Sequence, residues 1–214
     1  MSSKLIQQLA HQLSPFLPSG TADISARWLI DNRVNLRISR PRKTKLGDFR
    51  PAGRGKPHRI SVNKDLDPLQ FLITFTHEIA HAQTWDKYGS RVAPHGKEWK
   101  NCYRGHLEEI LALNVLEPEV ASAVKRHSQN PKASSSSDCD IQKLTRPEHQ
   151  GPLLNDLGAG VSFTIDSGKS FKTIRRLRKY WLCEELSSGR HYRVLGSLPV
   201  AVHNAEEHNL KVVT

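Results

Sequence analysis

The stretch from Asp67 to Gly89 constrains the chain most, because its start, its interior and its exit all specify a helix. Asp67-Pro68 is a start signal. The carboxylate can accept from the free N–H groups of a first turn, and the proline presets φ at the first helical position. Leu72, Phe75, Ile79 and Ala82 then recur at helical spacing and form one apolar stripe. Gly89 and Pro94 fit an exit loop. At about 100° per residue, His77 and His81 share a face one turn apart and point away from that stripe. Histidines packed in a core would lie on the stripe. This pair is therefore expected at a cleft, with the back of the helix buried.

His77, Glu78 and His81 form the pattern H-E-x-x-H. In a chain with 11 histidines, chance gives that pattern in roughly a few cases per hundred, so it is only moderately specific. The helical context adds weight, since two imidazoles one turn apart can share a metal ion. A catalytic zinc takes three protein ligands and keeps one position open. Asp86, His95, Glu98 and His106 are the downstream candidates. Asp86 lies five residues past His81 and is rotated off the ligand face. His95 stands in "VAPHGKEWK", after a loop long enough to reverse the chain, and Gly96 permits close backbone approach there. Lys97–Leu113 reads as a second helix with Trp99, Tyr103, Ile110 and Leu113 on one side, and His95 at its mouth can reach back. His95 is the preferred third ligand and Glu98 the alternative. His106, deep in the second helix, reads as a packed or surface histidine.

Four ordered blocks, "RKTKLGDFR" (Arg42–Arg50), "ISVNKDL" (Ile60–Leu66), "FLITFTHEIAHA" (Phe71–Ala82) and "PHGKEWK" (Pro94–Lys100), together resemble the SprT-like family of bacterial SprT proteins and eukaryotic Spartan. The match runs from about Val34 to Leu113. The resemblance implies a zincin-like metallopeptidase fold with a short sheet beside the active-site helix. It also implies one Zn2+ held by His77, His81 and His95, with Glu78 as catalytic base. Many bacterial-type relatives carry a C-terminal zinc ribbon with paired C-x-x-C motifs. This chain has none, so whatever that ribbon does is not carried over.

Charge suggests a partner. The net charge is +11, and it is segregated. Arg37–Arg59 holds nine Lys/Arg against one acid, Asp48, and Lys169–Lys179 holds six with no acid. Either segment can be a solvated surface, or a surface for phosphate backbones. The candidate nucleic-acid contacts are Arg40, Arg42, Lys43, Lys45, Arg50, Arg54, Lys56, Lys172, Arg175, Arg176, Arg178 and Lys179. Phe171, Tyr180 and Trp181 either stack on unpaired bases or belong to a core. With no helix-turn-helix signal, DNA contact is expected to be single-stranded or backbone-only, with little base specificity. Three scattered cysteines, no apolar run of membrane length and no signal-peptide pattern point to a cytoplasmic protein, nucleoid-associated if it binds DNA.

The expected class is α+β, in three parts. Residues 1–127 form the metallopeptidase domain. Helices are expected over Ser3–Leu13, Thr21–Asp31 (burying Ile24, Trp28 and Leu29) and Pro118–Arg126, with strands at Val34–Ile38, near Phe49 and at Ile60–Val62. Residues 128–150, with the serine run in "NPKASSSSDCD", form a linker that can hold a short helix through Ile141 and Leu144, capped by Ser137 or Asp138. Residues 151–214 form a small basic antiparallel β-module, a meander or small barrel. Its turns fall at Ser167-Gly168, Arg175–Arg178 and Ser188-Gly189.

Zinc held by three imidazoles would polarise a scissile carbonyl and acidify water, and Glu78 would carry the proton to the leaving amine. Tyr88, Tyr103 and Arg104 are candidates for steadying the oxyanion. The expected function is zinc-dependent cleavage of DNA-bound or DNA-crosslinked proteins, with nucleic acid as activator. The alternative is a nucleic-acid-binding module whose zinc is structural.

Overall fold

The computed structural model describes residues 3–42, 44–53, 55–129, 131, 141, 144 and 151–202. They fall into two compact units, Met1–Thr145 and Arg146–Thr214, and the chain is of mixed α+β class.

The first unit opens with helices α1 (Ser3–Leu13) and α2 (Ala22–Asp31) and continues into strands β1 (Val34–Ser39), β2 (Gly47–Arg50) and β3 (His58–Asn63). Helices α3 (Pro68–Tyr88), α4 (Lys97–Ala112) and α5 (Pro118–Gln129) follow. β1 runs parallel to β3, from Val34 opposite His58 to Ser39 opposite Asn63. β2 pairs antiparallel to the other side of β3, so the order is β1-β3-β2 and β2 is an edge strand.

The start signal of α3 works as its chemistry dictates. The Asp67 carboxylate accepts the Leu69 N–H at 2.9 Å, and Pro68 takes the first helical position. Gly89 ends the helix at φ +63°, a conformation that favours glycine. The apolar pattern of α3 is broader than one stripe. Leu72, Phe75, Ile79 and Ala82 have no exposure, but neither do Phe71, Ile73 and Ala80. The reason is packing: α4 lies on one side, β2 and β3 on another, and the turn after α1 on a third. A helix enclosed on most sides is apolar on most sides. Phe71 stacks on Phe16 at 5.5 Å, and Phe75 on Trp28 at 6.4 Å. Cutting either phenylalanine to alanine would leave a cavity costing about 3–5 kcal/mol. α3 is thus both the centre of the core and the carrier of His77 and His81, which stand half-buried among buried neighbours.

Two details differ from the sequence reading. Ile24 is half-buried, while Ser25 and Ala26 take the interior beside Trp28 and Leu29. Leu113 is 38% exposed and Leu107 is enclosed instead, because α4 stops at Ala112 and Asn114 turns the chain at φ +53°. Ile141 is enclosed in the core of this unit and Leu144 packs against it. Ser137 and Asp138 lie outside the described residues, as does most of the serine run.

The second unit is a five-stranded antiparallel sheet. Its strands are β4 (Ser162–Thr164), β5 (Ser170–Arg176), β6 (Tyr180–Glu185), β7 (His191–Leu195) and β8 (Ala201–Val202), in the order β7-β6-β5-β4-β8. The meander is as expected. Among the described residues no pairing joins β7 to β8, so the sheet is open and not a barrel. Leu154, Phe163, Phe171, Trp181, Cys183, Val194 and Val200 form its core. Phe171 and Trp181 are therefore core residues, while Tyr180 is exposed. The pairing of β5 with β6 slips between Thr173 and Arg175, leaving Ile174 as an extra residue. No helix among the described residues is long and apolar enough to cross a membrane.

Candidate metal centre

Three histidines converge in the first unit. The Nε2 atoms of His77, His81 and His95 form a near-equilateral triangle with sides of 3.1, 3.0 and 3.0 Å. The ring centroids are farther apart, at 4.7–4.9 Å, so the rings meet tip-inward. His77 and His81 come from successive turns of α3. His95 comes from the turn that enters α4, where Gly96 is closed onto the Ala93 carbonyl by a 2.9 Å hydrogen bond. A Cβ on Gly96 would stand 2.9 Å from that same oxygen, so the close approach requires glycine. His95 itself sits at φ +59°, in the left-handed region that costs a non-glycine residue about 1–2 kcal/mol.

The donor set fits a zinc ion. Tetrahedral nitrogens at zinc-bond length stand about 3.3 Å apart, within a few tenths of an ångström of the spacing here. Burial, then the neighbouring imidazoles, push the pKa of His77 down to about 2 and that of His81 to about 4; burial lowers that of His95. All three rings are thus neutral at pH 7, the form in which imidazole binds metal. Among the described residues these three form the one cluster able to hold a metal ion. Glu98 is outside it, and Asp86 instead accepts from His58 Nε2 at 2.9 Å. The backbone N–H of Ala52 donates to His58 Nδ1, which fixes the proton on Nε2. His106 is packed in the core, its ring 4.6 Å from that of Trp28.

The ring of Trp99 underlies the site, with its centroid 4.6, 5.4 and 4.7 Å from those of His77, His81 and His95. Phe49 of β2 stacks on His81 at 6.0 Å. Sequence reasoning assigned Trp99 only to the buried side of a helix. The four-residue step from His95 to Trp99 was the signal that it shares the site.

Glu78 is buried beside the triad, and β2 holds it there. Gly47 backs directly onto the Glu78 carboxylate: a Cβ would collide with Oε1 and stand 2.9 Å from Cδ and 2.8 Å from Thr74 Cγ2. Gly47 lies within a quoted block, yet nothing in the sequence showed that it abuts Glu78. Gly47→Ala is expected to keep zinc but to lose about 1–3 kcal/mol of stability, because the carboxylate can swing aside while the buried, β-branched Thr74 cannot. Peptide turnover should fall by roughly 10–100-fold through misplacement of that group. Wild-type turnover in this variant would show that the contact is unimportant.

Burial, then the Asp48 carboxylate, raise the Glu78 pKa to about 8, with Arg42 and Lys45 acting in opposition. Burial would also lift Asp48, but hydrogen bonds from Lys45 (2.7 Å) and Arg50 (2.9 Å) outweigh it and hold Asp48 below its usual range. The triad and Glu78 open onto a cavity of about 730 Å³. Lys45, Asp48, Phe49, Trp85, Val92 and Pro94 are among its walls. None of the three oxyanion candidates lines it. Tyr103 bonds His127 and the Ile73 carbonyl, Arg104 bonds the carbonyls of Ser128 and Gln129, and Tyr88 is on the surface.

The basic residues divide by task. Arg42 turns inward, its three guanidinium nitrogens bonded to Asn63, Ser61 and the Leu46 carbonyl, so it holds the 42–46 loop on β3 and is not free for phosphate. Lys45 and Arg50 pair with Asp48. Arg40 and Lys56 are exposed, as are Lys172, Arg175, Arg176, Arg178 and Lys179 in the second unit. Lys43 and Arg54 lie outside the described residues. Comparison with protein-family models, curated proteins and solved structures finds no match.

The pKa shifts predict how the metal-free protein responds to pH. Below the ordinary histidine value of 6.5, the unfolded chain takes up protons that folded His77, His81 and His95 refuse, so stability falls as pH drops. Between 4.5 and about 8, folded Glu78 retains a proton that the unfolded chain has released, so stability falls as pH rises through that window. Below 6.5 the three histidines outweigh the one glutamate, which gives these groups a combined maximum near pH 6.5. Each contributes a slope of at most about 1.4 kcal/mol per pH unit. Denaturant melts of chelated protein should show this, and Glu78→Gln should flatten the alkaline limb and steepen the acid limb between pH 4.5 and 6.5. An unchanged alkaline limb in that variant would mean that Glu78 titrates normally.

Proposed function

We propose that this chain is a zinc-dependent endopeptidase of the SprT-like, zincin-like type, acting on proteins held on nucleic acid. The observation that carries the reading is the convergence of three neutral imidazoles with a buried carboxylate in one open cleft. A purely structural zinc site has no use for that carboxylate. His77, His81 and His95 would hold the ion. When bound, zinc supplies Lewis acidity that polarises a carbonyl and acidifies water. Glu78 accepts the proton of the attacking water and returns it to the departing amine. β2 supports the reading from its own side. Its outer edge is unpaired among the described residues, and its Gly47, Asp48 and Phe49 wall the cavity. An extended peptide can add to such an edge by main-chain hydrogen bonds, which would lay its carbonyls beside Glu78. The exposed basic residues of both units support a nucleic-acid partner.

The test is cleavage of a DNA-binding protein, and self-cleavage, with zinc, in the presence and absence of single-stranded DNA. Wild type should cut, and faster with DNA. Cleavage without any DNA effect would leave a DNA-independent peptidase. DNA binding with no zinc-dependent cleavage under any condition would leave a nucleic-acid-binding module with a structural zinc.

A further inference from the structure

The slip in β5 has a consequence for the second unit. Thr173 faces Cys183 in the core. Without the extra Ile174, alternation would put Arg175 opposite Trp181, on the buried side. The bulge instead sets Arg175 opposite Leu182 and gives Arg176 the place facing Trp181. Arg175 is thereby aimed outward. On the next strand Leu182 also faces Arg193, and Tyr180 faces Leu195. The two arginines flank Leu182 across successive strands, about 10 Å apart. Tyr180 (41% exposed) and Leu195 (36%) form an open pair beside that row. Arg178 and Lys179, both exposed, edge it at the β5–β6 hairpin. Among the described residues of this unit the ion pair is Lys169–Glu185; Arg175, Arg178, Lys179 and Arg193 have none. Glu184 is the acid on this face, between Lys172 and His191 and diagonal to both arginines, so the row stays basic on balance and a polyanion would complete its neutralisation.

We propose that this outer sheet face, built on Arg175, Arg193, Tyr180 and the Arg178-Lys179 hairpin, binds single-stranded nucleic acid, with a base on the Tyr180 ring and the cations on flanking phosphates. The proposal rests on the nucleic-acid half of the function proposed above and gives it a location. Tyr180 was a stacking candidate from the sequence, whereas Arg193 did not stand out there. A single strand fits better than a duplex: a paired helix keeps its base faces stacked and would leave the exposed Tyr180 ring unused. A sheet face with an exposed aromatic suits unpaired bases. An acidic peptide would satisfy the arginines but leave the Tyr180–Leu195 pair uncovered.

The test uses the full chain with zinc and a fluorescent oligothymidylate, read by anisotropy over a salt series. Arg175→Gln/Arg193→Gln should weaken binding about tenfold or more and reduce the salt slope by about 1.4. Tyr180→Ala should weaken it about tenfold with the slope unchanged, and Tyr180→Phe should restore it. Zinc content and DNA-independent peptide cleavage should not move. All these positions are exposed, and unchanged near-ultraviolet dichroism checks that the sheet is intact. Wild-type affinity in both variants, with loss in Arg40→Glu/Lys56→Glu, would overturn this face while sparing a nucleic-acid role for the first unit. No binding of the oligonucleotide by wild type would remove both. Efficient displacement by polyglutamate, with Tyr180→Ala silent, would replace nucleic acid with an acidic protein partner and overturn the proposal.

Discussion

Glu78→Gln is expected to abolish peptide cleavage for practical purposes, by about 10²–10⁴-fold, while zinc content and fold stay as in wild type. Glutamine matches glutamate in size, so the cavity wall and the contact with Gly47 persist. What it lacks is an oxygen able to take a proton. Zinc retention should be intact because the three Nε2 atoms do not include this side chain. Metal analysis, circular dichroism and single-turnover cleavage of one labelled peptide separate these effects. Turnover near that of wild type would remove Glu78 as the base, and the endopeptidase mechanism with it. Loss of zinc alongside activity would instead mean that the carboxylate belongs to the metal site.

His95→Ala is expected to lower zinc affinity by 100-fold or more. The protein should bind about one zinc per chain before the change and retain little after dialysis against a weak chelator. Two imidazoles on α3 would remain, with no third donor among the described residues near enough to replace the lost one. A metal that binds only the folded state adds about 2.7 kcal/mol of stability at a free concentration one hundred times its dissociation constant. The melting temperature of wild type should therefore rise with added zinc, and that of His95→Ala should stay flat over the same range. Undiminished stoichiometry and affinity in the variant would exclude His95 and reopen the search for a third ligand.

Local signals proved legible wherever one residue type has one physical reason to be in place. Asp67 and Pro68 start α3, Gly89 ends it, and Ser167-Gly168 and Ser188-Gly189 turn the β-module. His77 and His81 could be paired from spacing because helical geometry is rigid. His95 required a guess about a reversing loop, supported by Gly96 and by family resemblance. What stayed hidden depends on distant chain meeting in space. Gly47 reaches Glu78 across 31 residues of sequence, and only the register of β2 on β3 puts it there. Arg42 looked like its basic neighbours until its bonds to Ser61 and Asn63 were seen. The bulge at Ile174 reverses the side on which Arg175 falls, and a strict two-residue alternation cannot reveal that.

The left-handed backbone at His95 also bears on how this protein would change over generations. His77 and His81 sit in relaxed helix, where many side chains are tolerated. Position 95 is different: glycine or asparagine would suit its φ of +59° better than histidine does. As long as the third imidazole is needed, selection must hold a residue that the local backbone disfavours. A descendant freed from metal binding would gain stability, about 1 kcal/mol, by the first mutation to glycine there. Drift in such a lineage should therefore erode residue 95 before it touches the two helical histidines. The identity of that one residue becomes a marker for telling descendants able to hold a metal with three imidazoles from relics that keep H-E-x-x-H by inertia.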